Sequence, residues 1–487
     1  MEIRRNAVPL LPRGLALIRW AAVVSPLVLA GCAVGPDYQR PASTLDDFHS
    51  AAAVEARSAG LRAPELDTWW QGFNDPMLVR LVQRAQGQNL DLAAAAARIQ
   101  LARGAAKEAG ADLLPTVDLD GQAARIHQSL ESEVGSVASG LPGYNRNQSD
   151  YTLGLDATWE LDVFGGLRRG KQAASAEMDA AVAEQTGTRI SISADTADAY
   201  LRIRGDQARL MVAEQQIATD AHLLDLVRQR FEHEVAAVRE VAQAEALLAQ
   251  ARASVQPLRI DLEAQINRLD VLLGQQPGTS AHELEPAQDI PEVPGIDGPD
   301  KPVDVLRRRP DVIAAERRLA ASNARIGLAI TEYYPHITLS GLLGYESSRP
   351  ADLFKASTFQ PLGAAGLRWR IFDFGKVGAE VAQAKGANAE ALALYRKSVL
   401  HAAEDVENSF TALVQLEAHR QELIKEVDAL TRARDASQDA YQGGVSALTD
   451  VLDADRQLLA AKDELMQTRA DADRAAVGAF RALGGGW

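Results

Sequence analysis

Two aspartates, Asp450 and Asp453, lie three residues apart in the stretch YQGGVSALTDVLD, which begins at Tyr441. Residues at this spacing fall on one face of a helix, so the two carboxylates would lie one above the other. The glycine pair Gly443-Gly444 just before them indicates that one helix ends here and another begins. Carboxylates stacked in this way attract cations, although most acidic pairs on helices are simply solvated surface.

The other reactive residue types form no catalytic pattern. The eight histidines are scattered, and the sequence has no HExxH, GxSxG or phosphate-binding glycine loop. The single cysteine excludes an internal disulfide framework and a cysteine-based metal site. The net charge of −15 argues against nucleic acid as a partner. We therefore expect a protein that is not an enzyme and that has no cofactor apart from a covalent lipid.

The lipid is expected on Cys32, which follows a stretch typical of secretion signals. Four arginines precede an apolar run from Trp20 to Ala30, which is too short to span a bilayer. The sequence LAGC that ends at Cys32 resembles a bacterial lipobox, in which the cysteine becomes the first residue of the mature chain and carries the lipid. Residues 1–31 are therefore predicted to be a signal peptide, and by resemblance to enterobacterial sorting rules Ala33 after the cysteine favours the outer membrane. A plain signal peptide with an incidental cysteine is the alternative.

The rest of the chain contains an internal duplication. Pro115 aligns with Pro335 at an offset of 220 residues, and Trp159 aligns with Trp369 at an offset of 210 residues. Both halves therefore predict the same order of elements: helix, strand, loop, strand, very long helix, turn and returning helix.

Two segments, residues 115–162 and 335–372, alternate between apolar and polar side chains with a period of two, which predicts one β-hairpin in each half. Each strand has about the length that a tilted membrane strand needs. An ordinary two-faced hairpin on a soluble core is the alternative, because periodicity alone does not separate the two.

The predicted long helices run without proline from residue 165 to 231 and from residue 375 to 441. At 1.5 Å per residue each would be roughly 100 Å long. Apolar residues recur every seven positions from Ile203 to Phe231, which predicts coiled-coil packing.

Four strands are too few for a membrane barrel made by one chain, which needs at least about eight. An open sheet edge in lipid would leave backbone groups unsatisfied. Two chains would give a barrel filled by side chains, whereas three would leave room for a channel. A transport pore therefore favours a trimer.

Eight motifs together resemble the TolC-like outer-membrane factors, and more narrowly their lipoprotein branch, the NodT family, which serves resistance-nodulation-division (RND) efflux pumps. They are GCAVGPDYQRP, WWQGFNDPML, LLPTVDL, WELDVFGG, RRRPDV, WRIFDFGK, DVLDADRQLL and ALGGGW. The resemblance implies an α+β membrane protein in which a homotrimer builds a 12-stranded β-barrel, with four strands per chain, above a long α-helical coiled-coil barrel. It also implies a periplasmic membrane-fusion adaptor, an inner-membrane RND transporter and outer-membrane lipid as partners.

The same resemblance assigns roles to the two helical turns. Asp450 and Asp453 would line the closed periplasmic gate, with Tyr441 nearby. The adaptor-docking tips would be Gly444-Val445 in the second half and Glu234-Val235 in the first. An arginine latches the tip four residues before the first aspartate in the TolC pattern, but this chain has Ser446 there. Glu234 also departs from the pattern, because glycine is common at that position.

We therefore expect an outer-membrane exit duct of a tripartite efflux pump that passively conducts small toxic compounds or drugs. A type I secretion channel and a structural coiled-coil lipoprotein without transport are the alternatives. The predicted organisation is a signal peptide (1–31), a lipidated strap (32–76), repeat 1 (77–276), an equatorial linker (277–302) and repeat 2 (303–487).

Overall fold

The computed structural model describes residues 33–42, 46–58, 61–296 and 302–487. Cys32 and the predicted signal peptide, residues 1–31, lie outside the described residues. The described chain divides into two compact units. The first unit contains residues 33–40, 101–178 and 317–392, and the second contains most of the remainder.

The two halves of the chain have the same order of principal elements, and four pairs of elements have equal lengths. These pairs are helices of 22 residues, strands of 12, helices of 67 and helices of 35 residues. The helices are α1 (Ala51–Ser58), α2 (Pro76–Gln88), α3 (Leu90–Ala111), α4 (Glu133–Ala138), α5 (Gly166–Glu232), α6 (Val238–Leu272), α7 (Ala281–Leu284), α8 (Pro302–Arg308), α9 (Pro310–Thr331), α10 (Lys376–Gln442) and α11 (Leu448–Ala482). The strands are β1 (Thr116–His127), β2 (Asn147–Leu161), β3 (His336–Ser347) and β4 (Phe359–Arg368).

The first unit contains an antiparallel sheet with the strand order β1-β2-β3-β4. Its register pairs Thr116 with Thr158 between β1 and β2, and Leu161 with Ile337 between β2 and β3. Chain order and spatial order coincide, so β2 and β3 join the two sequence halves within one sheet. In the described part of the chain, β1 and β4 each have a single strand neighbour.

In each half, an indole ring near the end of the hairpin donates to the backbone just after the preceding helix. The Nε1–H of Trp159 donates to the backbone oxygen of Leu113 at 3.0 Å, and that of Trp369 donates to the backbone oxygen of Tyr333, also at 3.0 Å. These residues follow the two offsets found in the sequence, because the acceptors lie 220 residues apart and the donors 210. The difference in length between the two halves, which changes the offset from 220 to 210 residues, therefore lies inside the hairpins.

The second unit has a core of apolar side chains from α2, α5, α6, α10 and α11. Trp69 stacks on Phe480 in this core, with ring centroids 5.3 Å apart. Asp75 caps α2 by accepting hydrogen bonds from the first-turn backbone, and it also accepts a hydrogen bond from the buried hydroxyl of Tyr200. Arg204, fully buried, donates to the same hydroxyl at 3.0 Å. Since each member has partners, this buried polar chain fixes α2 against α5.

Three predictions differ from the structure. The 32–76 segment is not only an extended strap, because α1 and a 3₁₀ helix (Leu66–Phe73) lie within it. The second hairpin is shorter than residues 335–372, since β3 begins at His336 and β4 ends at Arg368. Phe231 was expected in the coiled-coil seam, but it is exposed, whereas Tyr441 at the equivalent position of α10 is buried.

Of the helices in the described ranges, none combines the length and the hydrophobicity needed to cross a membrane.

Candidate functional site at the helical turns

The turns after α5 and α10 have the same backbone geometry. Glu234 at φ 59° and Gly444 at φ 75° both adopt the left-handed conformation that closes a helix C-terminus. The N–H of Val235 donates to the oxygen of Arg230 at 2.8 Å, and that of Val445 donates to the oxygen of Ala440 at 2.9 Å. This is the six-to-one bond of a Schellman motif, so the glycine that ordinarily ends such a helix is replaced by glutamate in the first half.

The two valines at these turns point into solvent. Val235 is 65% exposed and Val445 is 82% exposed. Each follows a left-handed residue, Glu234 or Gly444, and precedes the returning helix by a few residues. The structure therefore places the four predicted docking residues together in pairs, one pair at each turn.

Tyr441 connects the two turns from a buried position. Only 3% of the residue is exposed, and its hydroxyl donates to Oε2 of Glu240 at 3.2 Å. Arg230 donates from Nη1 to the backbone oxygen of Tyr441 at 2.9 Å, and its guanidinium carbon lies 4.5 Å from the ring centroid. We call Arg230, Glu240 and Tyr441 the turn bridge, because the first two belong to one helical hairpin and the third to the other.

Burial raises the pKa of the Tyr441 hydroxyl, and the negative charge of Glu240 raises it further. The phenol therefore stays protonated at neutral pH and keeps the hydrogen that it donates to Glu240. The guanidinium over the ring adds a cation–π attraction. The bridge thus combines two hydrogen bonds, a ring contact and burial at a single tyrosine.

Asp450 and Asp453 are both exposed at the start of α11. The carboxylate of Asp453 lies 3.5 Å from the guanidinium of Arg456, one turn further along. Asp450 lies in the first turn, where a negative side chain interacts favourably with the helix dipole. The predicted pair therefore shares a face, but one carboxylate already has a cationic neighbour.

Sequence reasoning missed Arg230 and Glu240 as members of this site. Ser446, at the position of the family's latching arginine, has a hydroxyl without a hydrogen-bond partner among the described residues. The serine at this position was the one signal in the sequence that the latching arginine is missing. It indicated that a cation from elsewhere in the chain could contact Tyr441. Within the described ranges, no three His, Cys, Asp or Glu side chains are grouped so that they could hold a metal ion.

The family model described as outer membrane efflux protein matches residues 81–275 and 302–485 of this chain. The chain belongs to that family. It is 32% identical over 425 residues to the pyoverdine export outer membrane protein OpmQ of Pseudomonas aeruginosa, covering 87% of this chain and 88% of the relative. It is 30% identical over 433 residues to nodulation protein T of Rhizobium leguminosarum bv. trifolii, covering 89% and 90%.

The fold agrees with this membership. The solved structure of the outer-membrane channel OprN superposes with a TM-score of 0.85 at 32% identity, covering 94% of this chain and all of that one. The expected resemblance to TolC-like channels, with a helical barrel and a β-barrel, is thereby confirmed, as is the expected location in the outer membrane of a Gram-negative bacterium. The protein is an outer-membrane efflux channel, the exit duct of an efflux pump.

Proposed function

We propose that three copies of this chain form the duct, that Cys32 carries a lipid, and that the duct receives small toxic compounds from a periplasmic adaptor and an inner-membrane RND transporter. Conduction would be passive and would involve no catalytic step. The relatives support this class of cargo, because one is named a solvent efflux pump outer membrane protein, SrpC, at 29% identity over 469 residues.

One observation carries the trimer: β1 and β4 each have a single strand neighbour in the described chain. A strand edge in lipid leaves N–H and C=O groups without partners, which costs several kcal/mol per group. Other copies must therefore pair with both edges. Two copies would give eight strands, whose interior is filled by side chains. Three copies give twelve strands, the smallest closed arrangement of this sheet that leaves an open lumen.

We further propose that the turn bridge holds the periplasmic gate closed. Arg230 would replace the arginine that is absent at Ser446, since it contacts both the ring and the backbone oxygen of Tyr441. Asp450 and Asp453, exposed on the returning helix, would then face the narrow entrance. Three copies would bring their carboxylates into rings that favour cations.

The turn residues would serve as the docking surface for the adaptor. Val235 and Val445 offer exposed apolar side chains beside a left-handed backbone. A partner that covered both valines would gain apolar burial without displacing any side chain of the turn bridge. This proposal predicts that Val235→Asp and Val445→Asp weaken adaptor binding in a pull-down with the purified adaptor, while Val271→Asp, at an exposed valine distant in sequence, does not.

Deletion of the gene tests the efflux function. The deletion strain should become more sensitive to some members of a broad toxicity panel, and the wild-type gene should restore resistance. If the deletion strain stopped secreting a protein but kept its sensitivity to the toxic compounds unchanged, the type I secretion alternative would be supported instead. An unchanged strain in both assays would refute transport as proposed.

Planar-bilayer recording tests the gate. Arg230→Ala and Tyr441→Phe should each raise the closed-state conductance, because each removes a contact of the bridge. Asp450→Ala combined with Asp453→Ala should reduce cation preference. The matched double variant Glu422→Ala with Asp428→Ala, which neutralises two exposed carboxylates on α10, should leave that preference intact. Equal selectivity of both double variants would remove the aspartates from the entrance.

A further inference from the structure

A cavity of about 460 Å³ lies among α5, α6 and α11 in the second unit. Part of its wall is apolar, with side chains from Val212, Leu247, Leu258 and Leu459. The lining also contains four carboxylates and two guanidinium groups, which give a formal charge balance of −2. We call this space the acidic cavity. Its volume is in the range of small-molecule sites.

Asp220 is the unusual member of the lining. The residue is 1% exposed, and its Oδ1 accepts a hydrogen bond from Nε2 of Gln216 at 2.7 Å. Its Oδ2 is buried and has no hydrogen-bond partner among the described residues. A buried carboxylate oxygen without a partner is costly, and native structures rarely retain one without a function.

The neighbouring charges do not compensate Asp220. Arg209 is already held by Asp463 through two hydrogen bonds, at 2.8 and 2.9 Å. Asp455, 3% exposed, has its nearest cation in Arg434, at 3.7 Å. The cavity therefore offers an apolar wall beside an uncompensated carboxylate.

We propose that the acidic cavity binds amphipathic organic cations, with the Asp220 carboxylate as the counter-ion and the leucine and valine side chains around the apolar group. An anion would meet the wrong charge. A bare divalent ion would need several oxygen ligands, and the described residues offer no three-residue cluster of that kind. The site is on this chain alone and is a property of binding, so it does not depend on conduction or on a pump.

Protonation should control this site. The pKa of Asp220 is raised to about 6, chiefly by burial and to a smaller extent by the charge of Asp455, against the lowering effect of the hydrogen bond from Gln216. Below pH 6 the counter-ion is therefore lost, and cation binding should weaken. The other charged groups that face this pair or the cavity are Arg209 on α5, Asp261 on α6, Arg434 and Asp435 on α10, and Arg456, Lys462 and Asp463 on α11.

Equilibrium dialysis of the full-length protein in amphipol tests the proposal, with benzyltrimethylammonium as the probe and benzenesulfonate as the anion of similar size. We expect one saturable cation site per chain at pH 8 and no saturable binding of the sulfonate. Asp220→Asn should lower the association constant by about tenfold, the size expected for one lost charge-assisted contact. Asp225→Asn, an exposed aspartate on the same helix, removes the same charge and should leave the constant unchanged.

A second variant removes the space instead of the charge. Ala460→Phe places a ring at the exposed rim of the cavity, away from the buried core, and should abolish binding while the protein remains folded by circular dichroism. Equal losses in Asp220→Asn and Asp225→Asn would show that the cation binds to surface charge in general. No saturable binding at pH 8, or equal binding of the sulfonate, would overturn the proposal.

Discussion

Replacing Glu234 with glycine should stabilise the turn after α5. Glu234 has φ 59°, a left-handed conformation in which the β-carbon of an ordinary residue is crowded by its own backbone. The equivalent turn after α10 has Gly444 at φ 75° and nearly the same hydrogen bonds. The chain thus contains its own comparison, because Gly444 occupies in the second turn the backbone position that Glu234 occupies in the first.

The magnitude follows from two opposing effects. A left-handed residue with a β-carbon costs about 1–2 kcal/mol, whereas glycine loses about 0.5–1 kcal/mol more conformational entropy on folding. The net gain for Glu234→Gly is therefore about 0.5–1 kcal/mol, or roughly a two- to fivefold change in the local opening equilibrium. Gly444→Ala should cost about 1 kcal/mol from the backbone alone, since a β-carbon there would meet no atom within 4 Å.

Hydrogen exchange measured by mass spectrometry reports this local opening. The informative amides are those of Val235 and Ala236, which both donate to the oxygen of Arg230, at 2.8 and 3.1 Å. Their protection factors should rise in Glu234→Gly and stay unchanged in Glu234→Ala, which removes the charge but keeps the β-carbon. If Glu234→Ala matched Glu234→Gly, charge and not backbone strain would be the cause, and the reasoning would fail.

Three further predictions concern stability. Arg309→Lys should lower the free energy of unfolding by about 1–3 kcal/mol in urea titrations, because lysine cannot reproduce the contacts of the guanidinium with Asp405 at 2.7 Å and with two other acceptors. Trp159→Phe and Trp369→Phe should each lose about 1 kcal/mol, measured in the same titration, and the losses should add in the double variant. Asp220→Asn should be more stable than wild type by about 1 kcal/mol at pH 8, a value that is reduced for solvent screening from the adjacent cavity. The difference in stability should vanish near pH 4. The pKa of Asp220 is raised to about 6 by burial, so the folded wild type loses stability as pH rises from about 4 to about 6; equal stability of both proteins at pH 8 would contradict this.

The order of elements could be predicted because it depends on local sequence patterns, and because each pattern occurs once in each half of the chain. Proline-free stretches and period-two stretches gave both long helices and all four strands. The structure begins α5 at Gly166 and α10 at Lys376, which preserves the offset of 210 residues. The end of β4 was predicted too late, because the apolar alternation continues through Trp369 and Ile371 although the backbone has already left the sheet.

The candidate site was only half predictable. Glycine residues and the alignment of the two halves predict the positions of the turns, so Gly444 and Glu234 were found. The contacts of Arg230 and the burial of Asp220 depend on which helices pack together over long sequence separations, and no local pattern contains that information. The sequence also does not distinguish a buried aspartate from an exposed one. Asp220 is buried and Asp225 is exposed, although both are aspartates on the same helix.

The asymmetry between the two halves explains why the two described turns form the bridge in one direction and not in the reciprocal one. At the offset of 210 residues, Arg230 corresponds to Ala440, Glu240 to Asp450 and Tyr441 to Phe231. A reciprocal bridge would need a cation at residue 440 and a hydroxyl at residue 231, but alanine has no charge and phenylalanine has no donor. Phe231 is accordingly exposed while Tyr441 is buried. Asp450, the counterpart of the acceptor in the bridge, therefore faces Phe231 and not a tyrosine in the alignment of the halves, and its carboxylate is exposed, as the proposed role at the entrance requires.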